Sequence, residues 1–243
     1  MQFDKAAYKT AKERIISLIK SSHDWENTEG FIADGVICTD VYEKQPLRIL
    51  CVLAESYGYE ECKMVDIEEQ PLKDRLGVGN PDVRTPRRLA VMLRLLFGSL
   101  ESSSKIPRED MLELLGTDAE SVALNQETLS KIAWINVTKA SNPETRLDAE
   151  KAQQHAERNR NILQEQIAAI SPHLILICGQ AAFSALLEMG LLGPQIVSGR
   201  GWQIQDSGSG MRVIEISHPA YPEDWNSYDK IYRNFETIYS QMA

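Results

Sequence analysis

Short apolar runs alternate along the chain with helical patterns, and three of these runs end abruptly in polar residues. They are Arg48–Leu53, Lys131–Asn136 and Val213–His218. A fourth run, Leu174–Cys178, is apolar throughout, which is typical of a parallel strand buried on both faces. Strands that alternate with helices predict an α/β fold, a three-layer α/β/α domain with a mainly parallel central sheet.

Helical periodicity of apolar positions predicts most of the remaining elements. The predicted helices are Asp4–Lys20, Leu89–Phe97, Arg108–Leu115, Leu147–Ile170, Ala181–Met189 and Tyr228–Tyr239. We expect residues 1–45 to be a helical extension that becomes largely irregular after residue 22. Residues 62–130 are expected to be a helical insertion between two strands. The chain, residues 1–243, is thus predicted to be a single domain.

Composition places the chain among soluble globular proteins, with 43% hydrophobic and 25% charged residues. No apolar stretch approaches the roughly 20 residues that span a bilayer. The first residues carry charge where a signal peptide would be apolar. We therefore expect a cytoplasmic protein with no membrane partner, and a monomer.

The formal net charge of −9 argues against a protein that coats nucleic acid through bulk charge. A local basic face remains open, because Thr85 and Pro86 begin a predicted helix and arginines cluster around them. These are Arg84, Arg87, Arg88 and Arg94. Arginines are unfavourable at a helix start, so the cluster serves either a phosphate or only a solvated helix face.

The cysteines carry no metal-binding pattern. Cys38, Cys51, Cys62 and Cys178 form no Cys-x-x-Cys pair and have no accompanying histidine spacing. Ordinary thiols in a reducing compartment are the simplest interpretation. We expect no metal and no cofactor.

The polar residues that follow the three strand candidates carry chemistry. Glu55 and Ser56 follow the first, Asn136 ends the second and His218 ends the third. In open α/β sheets, ligands bind outside the carboxyl ends of the strands, where distant parts of the chain meet. The pattern therefore predicts a binding or catalytic site there.

These segments, in this order, resemble the uracil-DNA glycosylase superfamily from about residue 47 to the C-terminus. Ala54–Gly58 is similar to its Gly-Glu-Ala-Pro-Gly motif, and Asn136–Lys139 to its Asn-Val-Val-Lys motif. Leu176–Ala182 matches a strand-Gly-x-Ala-Ala-helix segment, and His218–Ala220 matches the closing His-Pro-Ser motif.

The chain also departs from the superfamily at several positions. Ser56 stands where one subfamily has a catalytic aspartate, while Glu55 falls as in the subfamily with an iron–sulfur cluster. Ala140 occupies the position of a cluster cysteine, so the resemblance implies no metal cluster. Gly58 replaces the tyrosine that blocks 5-substituted pyrimidines, which implies a wider pocket.

The resemblance implies roles for individual residues in extruding a nucleotide, holding its base and stabilising the developing charges. His218 would bond the leaving base, Glu55 would orient water or balance the sugar's charge, and Ser56 would position water. The base-binding residues would be Tyr57, Gly58 and Asn136, and the DNA-binding residues Lys139, Arg87, Arg88 and Trp225. Each residue also has a plain alternative, such as a surface histidine, a turn asparagine, a solvated lysine or a packed loop tryptophan.

Three functions remain open from the sequence. The leading one is a DNA glycosylase that excises uracil or a 5-modified pyrimidine from DNA by hydrolysing the N-glycosidic bond, in defence against foreign modified DNA. The second is a non-catalytic nucleotide- or nucleic-acid-binding protein on the same fold. The third is a different α/β hydrolase or transferase, because a fold does not determine a function.

Overall fold

The computed structural model describes residues 3–22, 31–54, 64–66, 84–116, 118–139, 149–188, 190, 195–197, 203–205, 211–219 and 226–242. The chain divides into two compact units. Unit 1 comprises Met1–Gln70 and Lys131–Glu215, and unit 2 comprises Pro71–Ser130 and Ile216–Ala243.

Three parallel strands form the centre of unit 1. Strand β3 (Ile49–Leu53) pairs in parallel with β5 (Ala133–Asn136) on one side and with β6 (Leu174–Cys178) on the other. All residues of the three strands are buried, which explains their continuous apolar sequences. The parallel pairing aligns Leu53 with Asn136, so the carboxyl ends of β3 and β5 lie at the same edge.

Further strands, joined by antiparallel pairings, extend this sheet on both sides. Strand β2 (Gly35–Val36) pairs with β5, and β8 (Gln203–Gln205) pairs with both β7 (Gln195–Val197) and β9 (Arg212–Ile216). In the described residues, the strand order is β2-β5-β3-β6-β9-β8-β7. Two further strands, β1 (Phe31–Ala33) and β4 (Met64–Asp66), pair with each other in parallel.

Helices complete the layers of unit 1. They are α1 (Lys5–Ser22), α2 (Thr39–Tyr42), α6 (Ala149–Arg158), α7 (Arg160–Ile170) and α8 (Gln180–Glu188). Helix α1 packs on α7, and Ile15 and Ile19 share a buried apolar cluster with Ile162 and Ala33. Burial of such aliphatic side chains stabilises the fold by about 1.5–3 kcal/mol each.

Unit 2 is helical in its described residues. It contains α3 (Arg84–Ser102), α4 (Arg108–Leu114), α5 (Ala119–Ser130) and α9 (Asn226–Met242). Helix α3 packs against α9 and α5. Its apolar face is buried, as the amphipathic pattern of this segment requires. Among the described helices, we find none with the length and apolar character needed to span a membrane.

The predicted α/β class with a mainly parallel central sheet is confirmed, whereas two local predictions differ from the structure. The segment that we expected to be irregular contains β1, β2 and α2. Gly35 allows β2 to lie close to Tyr8. Its φ is +154°, and a side chain at this position would collide with the Tyr8 hydroxyl. That hydroxyl accepts a hydrogen bond from the Val36 N–H at 2.8 Å. The long helix predicted for Leu147–Ile170 is instead two helices that meet at Asn159.

Candidate functional site

Beyond the end of β5, backbone hydrogen bonds still tie the chain to the end of β3. The Val137 N–H donates to the Leu53 carbonyl at 2.8 Å, and the Thr138 N–H donates to the Ala54 carbonyl at 3.0 Å. The Asn159 side chain donates to the Val137 carbonyl at 2.9 Å. These bonds keep residues 136–139 buried beside the end of β3 instead of releasing them as a surface turn.

A buried carboxylate, Asp34, organises this edge of the sheet. Its Oδ2 accepts hydrogen bonds from the Asn136 backbone N–H at 2.6 Å and from Asn136 Nδ2 at 3.2 Å. Its Oδ1 accepts from Lys139 Nζ at 2.7 Å and from Gln166 Nε2 at 2.9 Å. Gln166 Nε2 also donates to the Asp34 carbonyl at 3.1 Å. Every one of these bonds ends on Asp34, so this residue links β5, α7 and the loop between β1 and β2.

The ion pair inside this network is sealed from water. The side chains of Lys139 and Asp34 are both 0% exposed. Burial lowers the pKa of Lys139, and the charge of Asp34 and its hydrogen bond oppose that shift. Removing one member of such a pair leaves an uncompensated buried charge and typically costs about 3–5 kcal/mol. The pair is therefore a structural element of the site.

This placement corrects the predicted role of Lys139. We expected its ammonium group to contact a DNA phosphate, but it has no exposed surface and donates to Asp34 instead. Lysine is usually exposed unless it is paired, and its partner here lies 105 residues earlier in the chain. No local pattern signals that pairing.

Asn136 keeps one unused acceptor within the described structure. Its Nδ2 group is bonded to Asp34, while its Oδ1 is buried and has no hydrogen-bond partner among the described residues. A buried acceptor without a partner costs about 1–3 kcal/mol, which a suitably placed ligand donor recovers. The geometry thus leaves an acceptor at the carboxyl end of β5. The base-binding role of Asn136 stays a prediction.

In unit 2, the backbone on both sides of His218 is held by hydrogen bonds. Asn234 on α9 accepts from the Ser217 N–H at 3.1 Å and donates to the Ser217 carbonyl at 2.9 Å. Arg88 on α3 donates from Nη1 to the Pro219 carbonyl at 3.1 Å. Two helices therefore position the segment that carries the imidazole.

Burial lowers the pKa of His218 to about 4. The imidazole is consequently neutral at neutral pH, with one ring nitrogen as a donor and the other as an acceptor. A neutral imidazole can donate a hydrogen bond to a developing anion without first losing or gaining a proton. Its catalytic role stays a prediction.

The arginines of the cluster near the start of α3 differ in their contacts. Arg88 is buried and bonded to Pro219, which corrects its predicted role as a DNA contact. Arg94 Nη1 donates at 3.3 Å to both the Leu114 carbonyl and Asn125 Oδ1. Arg87 is partly exposed, and its buried Nε has no hydrogen-bond partner among the described residues. Arg87 remains a predicted DNA contact.

Several predicted site residues lie outside the described residues, so their roles stay predictions. They are Glu55, Ser56, Tyr57, Gly58 and Trp225. Within the described ranges, no group of three or more His, Cys, Asp or Glu side chains could hold a metal ion. The described cysteines are free thiols: Cys51 and Cys178 are buried and Cys38 is partly exposed.

The sequence patterns did not identify three residues with these structural roles: Asp34 and Gln166 in unit 1, and Asn234 in unit 2. Asp34 lies in a segment of mixed composition that contains Gly30 and Gly35 and is therefore expected to be irregular. Gln166 and Asn234 lie within helical patterns, where polar residues usually face solvent. Their partners are distant in the chain, which only the folded structure shows.

Comparison with known proteins agrees with the motif resemblance. The family described as the uracil DNA glycosylase superfamily matches residues 73–241, a stretch that contains Asn136 and His218. The match begins after Asp34 and after the Ala54–Gly58 motif. None of the curated proteins compared with the chain matches it. Because the family match covers well over half of the chain, this protein belongs to the uracil DNA glycosylase superfamily.

Proposed function

We propose that this protein is a DNA glycosylase that hydrolyses the N-glycosidic bond of uracil or a 5-modified pyrimidine in DNA. Membership of the superfamily supports a glycosylase-like function and DNA as the partner. The observation that carries the proposal is His218 itself. Within the matched stretch, this histidine is neutral at neutral pH and its flanking backbone is held by two helices.

The proposed reaction needs a donor for the departing base. When the bond between the sugar and the base nitrogen breaks, its electron pair stays on the base and positive charge develops on the sugar. In the proposal, neutral His218 donates a hydrogen bond to the base oxygen on which negative charge accumulates. The hydrogen bond from such a preorganised donor becomes stronger in the transition state, and removing one donor typically lowers the rate about 10²–10³-fold.

Asn136 supplies base recognition in this proposal. Its amide can accept through Oδ1 and donate through Nδ2, which suits the edge of a pyrimidine. Its backbone N–H and its Nδ2 are both bonded to Asp34, so the amide is held before any ligand arrives. A group held in advance loses little further conformational entropy on binding.

The attacking water and the substrate range rest on the sequence resemblance. Glu55 would orient that water or balance the sugar's positive charge, and Ser56 would help to position it. Gly58, in place of a blocking tyrosine, supports acceptance of a 5-modified base and hence defence against foreign modified DNA. The test is Gly58→Tyr, which should suppress excision of a 5-substituted base and spare uracil. Thermal melting must accompany it, because glycine often supplies a positive φ in turns.

DNA would be held by Arg87 through a phosphate, and Trp225 would act as a wedge in the duplex. Arg87 is chosen because the residue is partly exposed and its Nε has no hydrogen-bond partner in the described structure. We further propose a cytoplasmic, monomeric enzyme without a metal cluster.

The proposed function is tested with duplexes that each carry one deoxyuridine, one thymine mismatch or one 5-substituted pyrimidine. Incubation with the full chain is followed by alkaline cleavage at abasic sites. Strand breaks at the modified position with at least one duplex, and their loss in His218→Ala, are expected. If no duplex is cleaved while nucleobases or DNA still bind, the non-catalytic binding protein is the better description.

A further inference from the structure

We propose that Asp34 is a positioning residue that fixes the orientation of the Asn136 amide and thereby decides which pyrimidine edge this protein accepts. The inference deepens the proposed function and rests on it, because it takes Asn136 as the base-reading group. It concerns a residue that precedes the stretch matched by the family.

Asp34 acts only as an acceptor in the described structure. The groups bonded to its carboxylate are the Asn136 backbone N–H, Asn136 Nδ2, Lys139 Nζ and Gln166 Nε2, and all four are donors. A carboxylate with this set of neighbours cannot offer a proton to Asn136 Oδ1. The Asn136 amide must therefore turn its NH₂ group toward Asp34.

The other end of the same Asn136 amide is left as an acceptor. With Nδ2 bonded at 3.2 Å to Asp34, Oδ1 lies on the opposite side of the planar group and has no partner in the described structure. Rotating the amide by half a turn would place Oδ1 against the carboxylate and lose the bond. Two acceptors facing each other in a buried site are strongly unfavourable. One orientation is thus imposed.

The orientation of the Asn136 amide determines which pyrimidine edge it can match. Uracil presents an N–H donor at N3 beside a carbonyl at position 4, whereas cytosine presents an acceptor nitrogen beside an amino donor. An amide held in one orientation can match only one of these two orders of donor and acceptor. Sites that fix such polar groups reject the mismatched partner, because buried groups are then left unpaired.

The hydrogen-bond network also explains how Asp34 can orient Asn136 as a buried carboxylate without disrupting the fold. Lys139 compensates its charge at 2.7 Å, and Gln166 donates to both its side chain and its carbonyl. Asn136 donates two hydrogen bonds to the same Asp34 oxygen, one from its backbone N–H and one from its side-chain NH₂ group. In the described structure Gln166 is hydrogen-bonded to Asp34 but not to Asn136, and so offers a matched control.

The test compares the full-length protein with Asp34→Asn and with the control Gln166→Leu. An asparagine at position 34 offers both a donor and an acceptor, so either orientation of Asn136 becomes acceptable. Binding of free uracil and free cytosine is measured by calorimetry. We expect the wild type to prefer one base by about tenfold or more, Asp34→Asn to bring that ratio close to one, and Gln166→Leu to keep the wild-type ratio.

A second readout needs no ligand and no activity. Hydrogen exchange of the Asn136 side-chain NH₂ group, assigned by its loss in Asn136→Ala, is followed by NMR. It should accelerate about tenfold or more in Asp34→Asn and remain slow in Gln166→Leu. If Asp34→Asn does not fold, Asp34→Asn combined with Lys139→Met removes both charges, and the same two results are expected of it.

These experiments test the proposed glycosylase function and the positioning role of Asp34 separately. A wild type that excises no base contradicts the proposed function, whereas the exchange rates and base affinities still decide the role of Asp34. The positioning role is overturned if the wild type binds neither base or binds both equally. It is also overturned if a folded Asp34 variant retains the wild-type ratio and the slow exchange of Asn136.

Discussion

Arg88 and Pro219, which lie 131 residues apart, are joined by a hydrogen bond of 3.1 Å from the guanidinium Nη1 to the proline carbonyl. The arginine is buried on α3, and the proline follows His218 directly. Proline carries a fixed φ but offers only its carbonyl for backbone bonding. This contact therefore fixes the chain just after the imidazole and gives a buried arginine a role other than DNA binding.

Replacing Arg88 should affect stability and turnover together. In Arg88→Leu, the Pro219 carbonyl loses a buried donor, so the free energy of unfolding should fall by about 1–3 kcal/mol. Because the backbone next to His218 loses a fixed point, the rate of base excision should fall roughly tenfold or more. Chemical denaturation and single-turnover kinetics measure the two effects.

The matched control is Arg87→Leu, which changes the neighbouring residue on the same helix. It should leave the free energy of unfolding within about 0.5 kcal/mol and weaken DNA binding, with the salt slope of log Kd reduced by about one. If Arg88→Leu instead weakens only DNA binding, the internal role of Arg88 is wrong.

The stabilising role of Asn234 should depend on its amide group and not only on the size of its side chain. Its side chain both accepts from and donates to the Ser217 backbone, at 3.1 Å and 2.9 Å. Asn234→Asp keeps the acceptor but places a carboxylate oxygen against the Ser217 carbonyl. We expect Asp to destabilise the fold at least as much as Ala does, by about 1–3 kcal/mol. Urea denaturation decides this, and two variants as stable as the wild type would contradict the reciprocal bonding.

The low pKa of His218 predicts a specific dependence of stability on pH. The pKa is about 4 in the folded protein and about 6.5 for an ordinary histidine. Between these values the unfolded chain binds a proton before the folded protein does, so stability is lost as pH falls through that window and is retained above it. His218→Gln should lose less stability than the wild type from about pH 7 to about pH 5.

Urea denaturation at both pH values gives the comparison. His173, whose pKa is also lowered by burial, is present in both proteins and does not affect the difference. An equal loss of stability in the wild type and in His218→Gln would show that the folded protein does not favour neutral His218.

The two strand cysteines should be unreactive. Cys51 and Cys178 lie on neighbouring strands β3 and β6, and burial raises both of their pKa values, that of Cys178 to about 12. The thiolate fraction of Cys178 should thus be about a thousandfold below that of an ordinary thiol. Peptide mapping after alkylation of the native protein should find Cys38 modified before Cys51 and Cys178. Equally fast modification of Cys178 would contradict the fold around β6.

The central sheet could be predicted closely because its signal is local. Strands β3, β5 and β6 lie within the apolar runs that predicted them, since a strand buried on both faces needs a continuous apolar sequence. The predicted C-terminal helix is also present, as Asn226–Met242. These elements follow from patterns that span only a few neighbouring residues.

The network around Asp34 could not be predicted, because its partners are far apart in the chain. A buried lysine cannot be distinguished from a surface lysine until its carboxylate partner is known, and Asp34 lies 105 residues before Lys139. The break at Asn159 has a similar origin. The helical pattern continues through it, but its side chain donates to the Val137 carbonyl and marks the division between α6 and α7.

The most direct test of the central claim is single-turnover excision by the wild type and His218→Ala, using the duplex that the wild type cleaves. If His218 stabilises the departing base, the rate constant should fall about 10²–10³-fold. The Kd for the same duplex should change by less than about twofold, because the interaction is made in the transition state. Equal losses in rate and affinity, or no loss in either, would contradict the proposed glycosylase mechanism.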